Sequence, residues 1–278
     1  MVPNVMGRIG VSLVLACLIS LLAAPSRAQD LPVFDAHIHY SQPDWSSYSP
    51  DAILALFDKT GVRWALVSST PDDGTLRLYE KAPDRIVPVL RPYRTRADMG
   101  TWTTDASIVP YVQERLKRKV YKGLGEFHLS AAQAKDPVVK ELAALGARHG
   151  LFLYAHTDAA GIEELQRLYP AVRWLWAHAG LGEPFEVVAR VADRYPALMI
   201  ELSLKSEVAA GGKLDPRWKD LFLRHPERFL VGTDTWVTSQ WDRFAEIQTN
   251  VRAWLGQLPR DIAEQIAYRN ARKFVGLP

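Results

Sequence analysis

The sequence predicts a closed (β/α)8 barrel with an additional helix at its C-terminal end. Short apolar runs recur eight times along the chain, amphipathic stretches separate them, and about 250 residues remain after an apolar N-terminal segment is set aside. Apolar runs that alternate with helices are typical of parallel strands covered by helices. Eight such units in this length fit a closed α/β barrel.

The apolar runs define the predicted strands, and the amphipathic stretches between them define the clearest helices. The strands are Val33–His37, Arg63–Ser68, Ile86–Arg91, Val120–Glu126, Leu151–His156, Val172–His178, Leu198–Ser203 and Phe229–Asp234. The helices include Asp51–Lys59, Pro137–His149, Gly161–Tyr169, Pro184–Tyr195 and Trp241–Leu258, several of them opened by Asp or Pro. An open doubly wound sheet is the alternative, but its usual glycine-rich loop is missing, because Gly123-Leu124-Gly125 lacks a third glycine.

The N-terminal segment has the pattern of a secretory signal. Arg8 precedes an apolar run over residues 9–24, and Ser26-Arg27-Ala28 offers small residues at a cleavage site. We expect residues 1–28 to be removed, leaving a single domain over 29–278 that is periplasmic or secreted. A retained transmembrane anchor is the alternative, but the run is shorter than the roughly 20 residues that span a bilayer. The mature protein is therefore expected to have no stable membrane anchor.

Composition restricts the chemistry of the mature chain. The one cysteine, Cys17, lies in the signal, so the exported domain has no thiol nucleophile, disulfide or cysteine metal ligand. Any metal must be held by histidines and carboxylates. Loss of Arg8 and Arg27 lowers the net charge from +3 to +1, which gives no reason to expect nucleic acid as a partner.

Polar residues collect at the predicted strand ends, where a (β/α)8 barrel carries its active site. Five of the seven histidines lie at or just after these ends. Alternate residues of an extended chain point the same way, so "FDAHIH" places His37 and His39 on one face. The other residues at strand ends are Arg91, Glu126, His128, His156, His178, Glu201, Ser203 and Asp234. Each alone has an ordinary explanation as a core, turn or capping residue, but their convergence on one mouth predicts a divalent metal site.

Five short motifs resemble those of a known family. They are "FDAHIH", "YAH", "WAHAG", "VGTD" and the terminal "NARKFVGL". Together they are similar to the amidohydrolase superfamily, most closely to the amidohydrolase-related branch of metal-dependent TIM-barrel hydrolases and decarboxylases. The resemblance implies that His37, His39, His156 and Asp234 bind metal, and that His178 is either a ligand of a second metal or the acid/base that handles the activated water.

The role of Glu126 stays open at this point. Some branches of the superfamily place a bridging residue on the fourth strand, so Glu126 either bridges two ions or contacts the substrate or the ligands of a single ion. The cofactor is expected to be one or two divalent ions, Zn²⁺ first and Mn²⁺ as the alternative, because the ligands are imidazoles and carboxylates.

The expected reaction is hydrolysis of an amide, ester, lactone or phosphoester, with Asp234 accepting a proton from water and passing it to the leaving group. We expect a small-molecule substrate, with an anionic group as one option, contacted by Arg91, His128 and Ser203. A metal-dependent non-oxidative decarboxylase and a non-catalytic ligand- or metal-binding barrel are the alternatives. The sequence does not specify an oligomeric state.

Overall fold

The structure, a computed structural model, describes Met1 and residues 31–278. Except for Met1, the predicted signal peptide lies outside the described residues. No helix of the described part of the chain is long and apolar enough to cross a membrane.

Eight parallel strands form the barrel and pair in sequence order. They are β1 (Val33–Ile38), β2 (Val62–Val67), β3 (Ile86–Leu90), β4 (Gly123–His128), β5 (Phe152–His156), β6 (Trp174–Trp176), β7 (Met199–Glu201) and β8 (Phe229–Leu230). Backbone hydrogen bonds connect β1 to the segment after β8, from Ala36 N–H to the Val231 carbonyl and from Asp234 N–H to the His37 carbonyl, both 2.8 Å. The predicted (β/α)8 fold class is confirmed.

Helices follow the strands and cover the barrel. They are α1 (Pro50–Thr60), α2 (Asp73–Lys81), α3 (Ile108–Leu116), α4 (Pro137–His149), α5 (Ala159–Leu168), α6 (Phe185–Arg194), α7 (Pro216–Arg224), α8 (Thr238–Asp242), α9 (Phe244–Leu255), α10 (Arg260–Glu264) and α11 (Asn270–Val275). A π-helical turn, Gln265–Arg269, joins α10 to α11, and a small antiparallel hairpin pairs Ala209–Ala210 with Lys213–Leu214. The segment from α10 to α11 is the additional C-terminal helix.

Local capping explains where several helices begin and end. The Ser49 and Asp158 side chains accept hydrogen bonds from the first-turn amides of Ala52 and Gly161, which would otherwise lack partners. Gly150 ends α4 with a φ of 67°, a left-handed conformation that costs glycine little. Because the cap at Asp158 precedes the apolar pattern, α5 starts at Ala159, earlier than the predicted Gly161.

The last three barrel strands are shorter than predicted. After β6, His178 and Ala179 have φ values of 55° and 47°, so the chain leaves the extended conformation before the predicted strand end. Asp234 does the same with a φ of 55°. Both functional side chains are therefore placed by turns at the mouth of the barrel. The helix predicted over Trp241–Leu258 is divided at Arg243 into α8 and α9.

A compact apolar cluster fills the barrel below the polar mouth. It contains alternate residues of β3 and β5, such as Val87 with Val89 and Phe152 with Tyr154. Alternate residues of a strand share a face, which identifies this cluster as the interior of the barrel. Ala271 of α11 belongs to the same cluster, so the C-terminal helix packs onto this interior. A second, larger cluster packs the strands against the surrounding helices.

Candidate metal centre

The barrel brings the six predicted metal ligands together above its apolar interior. His37 and His39 come from β1, Glu126 from β4, His156 from β5, His178 from the turn after β6 and Asp234 from the segment after β8. All are buried except His156, which is partly exposed. Such a concentration of buried ionisable groups is unfavourable unless the groups are paired or bind an ion.

Four donor atoms form a first group, which we call group A: His37 Nε2, His39 Nε2, Glu126 Oε2 and Asp234 Oδ1. The two imidazole nitrogens are 3.2 Å apart. Glu126 Oε2 lies 3.5 Å and 3.3 Å from them, and Asp234 Oδ1 lies 3.6 Å and 3.3 Å from them. Ligands held tetrahedrally at about 2.0–2.2 Å from an ion are separated by roughly 3.3–3.6 Å. His37, His39 and Asp234 thus offer three ligand atoms that all lie close enough together to hold one divalent ion, and Glu126 Oε2 lies beside the two imidazole nitrogens.

A second group, group B, lies on the other side of the same two carboxylates. Glu126 Oε1 is 2.7 Å from His156 Nδ1 and 3.5 Å from His178 Nε2. Asp234 Oδ2 is 3.8 Å from His178 Nε2. Glu126 and Asp234 each direct one oxygen toward each group, and the 2.7 Å contact is a hydrogen bond between the Glu126 carboxylate and the His156 ring.

Hydrogen bonds at the rear of three imidazoles fix their orientation. His37 Nδ1 lies 2.9 Å from Glu201 Oε2, His178 Nδ1 lies 3.0 Å from the Ser203 carbonyl, and His39 Nδ1 bonds the Ser68 carbonyl. An imidazole that donates from Nδ1 presents its Nε2 lone pair to a metal. All three rings therefore direct Nε2 toward the groups of ligand atoms.

Tyr154 and Glu201 support His37; the sequence placed Glu201 at the mouth without a role and did not assign Tyr154 to the site. The Tyr154 hydroxyl is 2.7 Å from His37 Nδ1 and donates to Glu201 Oε2 at 3.2 Å. Burial raises the pKa of Tyr154 well above its ordinary value, so the hydroxyl keeps its proton. A Cβ at Gly232 would collide with Glu201 and His37, so this position needs glycine. The only sequence signal for Tyr154 is its place two residues before His156 on the same strand.

The charges at the centre are those of ionised carboxylates. Burial opposes ionisation, but His37 and its neighbouring imidazoles hold the pKa of Glu126 well below its usual range, and His37 and His39 lower the pKa of Asp234 to about 2. The pKa of Glu201 is also lowered, against its burial, chiefly by His37. The converse is that these carboxylates raise the pKa of His37, against the opposing effect of burial. A proton on His37 thus balances carboxylate charge that a bound cation would otherwise balance.

One orphaned atom tests directly whether this centre fits a metal. Asp234 Oδ1 is buried and has no hydrogen-bond partner in the described part of the chain. An ionised oxygen without a partner in a protein interior is costly. It lies in group A, facing the Nε2 atoms of His37 and His39. The residues present therefore fit a divalent ion.

The three predicted substrate contacts have different positions. Arg91 lines the cavity above the centre, but its guanidinium bonds Glu126 at the carbonyl (2.9 Å) and at Oε2 (3.0 Å). The Ser203 hydroxyl lies behind the imidazoles, 3.0 Å from His178 Nδ1 and 2.8 Å from Glu201 Oε2, and Ser203 is not among the residues that line this cavity. Ser203 thus supports the ligands and does not contact the cavity above them.

His128 is on the cavity wall, as a substrate contact must be. Its backbone N–H donates to the Tyr93 hydroxyl at 2.8 Å, and that hydroxyl lies 3.3 Å from His128 Nδ1. Burial lowers the pKa of His128 to about 3, so the ring is neutral. Its Nδ1 lies beside the Tyr93 hydroxyl, and its Nε2 lies 4.0 Å from Glu126 Oε1.

A comparison of the sequence with known families decides the family of this chain. The profile of a family described as amidohydrolase matches residues 34–277, which spans the whole barrel. The chain belongs to this amidohydrolase family. The resemblance seen in the five sequence motifs is thereby confirmed, and no curated protein matches the sequence.

Solved structures with the same fold include several hydrolases. The amidohydrolase is similar to a probable 2-pyrone-4,6-dicarboxylic acid hydrolase from Acinetobacter baumannii with citric acid bound, at 12% identity and a TM-score of 0.62 over 89% of this chain and 100% of that one. It is also similar to a TatD homolog from Escherichia coli K12, at 16% identity and a TM-score of 0.61 over 88% and 98% of the two chains. At these identities the likeness shows a common fold.

Proposed function

We propose that this amidohydrolase is an exported, divalent-metal-dependent hydrolase of a small ester, lactone, amide or phosphoester. The observation that carries the proposal is the convergence of four ligand atoms in group A, one of them the orphaned Asp234 Oδ1. The family match and the hydrolase neighbours support a metal-dependent hydrolase or a related activity.

The ligands have distinct tasks in this proposal. His37, His39, Glu126 and Asp234 would hold one ion, and Glu126 with His156 and His178 would hold a second. Zn²⁺ suits these nitrogen and oxygen donors best, with Mn²⁺ as the alternative. Ions held there would supply Lewis acidity, which polarises a substrate carbonyl or phosphoryl oxygen and acidifies water.

Asp234 would act as the general base. Its pKa of about 2 keeps it ionised at neutral pH, so it can accept a proton from the attacking water and pass it to the leaving group. His128, a neutral imidazole on the cavity wall, would form a hydrogen bond with the substrate. Arg91 would hold the Glu126 carboxylate in place through its two hydrogen bonds.

The cavity above the centre is sized for a small molecule. It has a volume of about 610 Å³ and is lined by His39, Glu126, His128, His156 and Asp234 together with loop residues. Arg96 lines it as an exposed cation, and no ion pair involves it among the described residues. An anionic substrate group fits this charge, and the similar Acinetobacter baumannii structure holds citric acid, a small carboxylic acid.

Decarboxylation on the same site is the second candidate function. Hydrogen bonding to Glu126 raises the pKa of His178 against the opposing effect of burial, and a protonated imidazole suits protonation of carbon. The two reactions differ in their products. We expect a panel of small esters, lactones, amides and phosphoesters to release acid without carbon dioxide, and a panel of aromatic carboxylic acids to be unchanged. If the protein releases carbon dioxide from the aromatic carboxylic acids and no acid from the first panel, its function is decarboxylation and not hydrolysis.

Export is tested separately by the mass of the mature chain. We expect protein recovered from the periplasm or medium of a bacterial host to begin at or near Gln29, because cleavage follows Ala28. Intact-mass spectrometry decides it. Recovery of the full-length chain from the membrane fraction would contradict this part of the proposal.

A further inference from the structure

Exposed apolar side chains are concentrated at one place on the barrel. Between residues 31 and 278, four large apolar side chains are exposed, and three of them line the cavity above the metal centre: Leu181, Leu204 and Trp236. Their exposed fractions are 44%, 42% and 51%. The fourth, Leu223, is on the outer helix α7. Apolar groups left exposed together at a concave site indicate a binding surface.

The three side chains lie in the loops that follow three consecutive strands of the barrel. Leu181 follows His178 by three residues, Leu204 follows Glu201 by three, and Trp236 follows Asp234 by two. Because β6, β7 and β8 are neighbours in the barrel, these side chains occupy one side of its mouth. We call Leu181, Leu204 and Trp236 the apolar rim.

The backbone holds both leucines in conformations that leucine rarely adopts. The φ values are 46° at Leu181 and 59° at Leu204. Residues kept in such conformations cost stability, and they occur most often at functional sites and ligand clamps. The buried Lys205 side chain donates to the Leu181 and Glu183 carbonyls, which ties the loop after β7 to the loop after β6. The backbone that carries the two leucines of the apolar rim is therefore held in place.

Polar side chains predominate around the rest of the cavity. The loops after β1 and β3 contribute Ser41, Gln42, Asp44, Thr95 and Arg96. The cavity is thus amphipathic, with the metal centre at its base. A substrate that fills this cavity and is complementary to its lining needs an apolar group on one side of the scissile bond.

From this arrangement we infer that the apolar rim selects substrates with an apolar ring or branched alkyl group of about the size of phenyl next to the scissile bond. The inference rests on the proposed function for the reaction, but it concerns binding and can be tested without turnover. In an apolar pocket, one additional methylene group on a ligand changes the relative affinity by about tenfold.

Phenylacetate and acetate are suitable probes, because they share a carboxylate and differ by a phenyl ring. We expect the wild-type protein to bind phenylacetate at least about tenfold more tightly than acetate in ligand-observed NMR titrations. The double variant Leu181→Ser/Leu204→Ser should lose most of this preference while binding acetate as the wild type does. Both leucines are exposed, so the substitutions remove little core packing. Leu223→Ser, an equally exposed leucine away from the cavity, is the matched control and should keep the full preference.

Equal binding of the two probes by the wild type would overturn the inference, and so would a preference that the double variant retains. Activity on the substrate panel separates this result from the proposed function. If the protein hydrolyses esters but shows no preference for the phenyl group, the proposed hydrolase function stands and the inference about the apolar rim is wrong. If the protein prefers phenylacetate but hydrolyses no member of the panel, the inference about the apolar rim stands and the proposed hydrolase function is wrong.

Discussion

Native protein is expected to hold about two divalent ions per chain, and Glu126→Gln to hold about one, because a neutral amide is a poor bridge between two cations. The expectation rests on the two Glu126 oxygens, one facing His37 and His39 and the other facing His156 and His178. Elemental analysis of both proteins after identical dialysis measures the change.

Two controls make this result interpretable. Glu227→Gln removes an exposed carboxylate that pairs with Lys273, so it should leave the metal content unchanged. Glu126→Gln also breaks a buried ion pair with Arg91, which costs up to roughly 3–5 kcal/mol, so thermal unfolding must show that the variant is folded. A wild-type content near one ion would defeat the bridging role and leave a single-ion hydrolase.

Asp234→Asn is expected to lower kcat by about 100- to 10,000-fold at saturating metal, the range for loss of a general acid/base. The asparagine has nearly the same shape, so circular dichroism should be unchanged, but an amide cannot accept the proton that the ionised carboxylate accepts. Steady-state kinetics on the best substrate of the panel measures the loss.

The matched control for this variant is Asp220→Asn, which removes an exposed carboxylate on α7. It should keep the wild-type kcat. If the kcat of Asp234→Asn is within about threefold of the wild-type value, Asp234 is not the general base and is, at most, a metal ligand.

The fold and the chemical character of the mouth could be predicted from the sequence for physical reasons. Buried parallel strands read as continuous apolar runs, and the barrel places strand ends at one mouth, so six candidate ligands could be named before their distances were known. "FDAHIH" predicted that His37 and His39 face the same way, and their Nε2 atoms are 3.2 Å apart.

Features that depend on tertiary contacts could not be predicted. Ser203 looked like a substrate contact because it follows β7, but its hydroxyl lies behind two imidazoles, beside Glu201. Tyr154 reads as an apolar strand residue, and only the folded barrel brings its hydroxyl to His37. Trp102 is buried and donates to the His128 carbonyl at 2.8 Å, a contact across 26 residues of sequence. Hydrogen-bond partners across strands leave no local pattern in a sequence.

The most direct test of the account is the activity of the protein after its metal has been removed and then restored. Protein stripped with a chelator, and shown by elemental analysis to hold less than about 0.1 ion per chain, should release no acid from any ester or lactone of the panel. Added Zn²⁺ or Mn²⁺ should restore activity in proportion to the ions bound, because the account assigns the polarisation of the substrate and the activation of water to ions held at this centre. Full hydrolytic activity in the stripped protein would contradict the claim that this cluster is a catalytic metal centre.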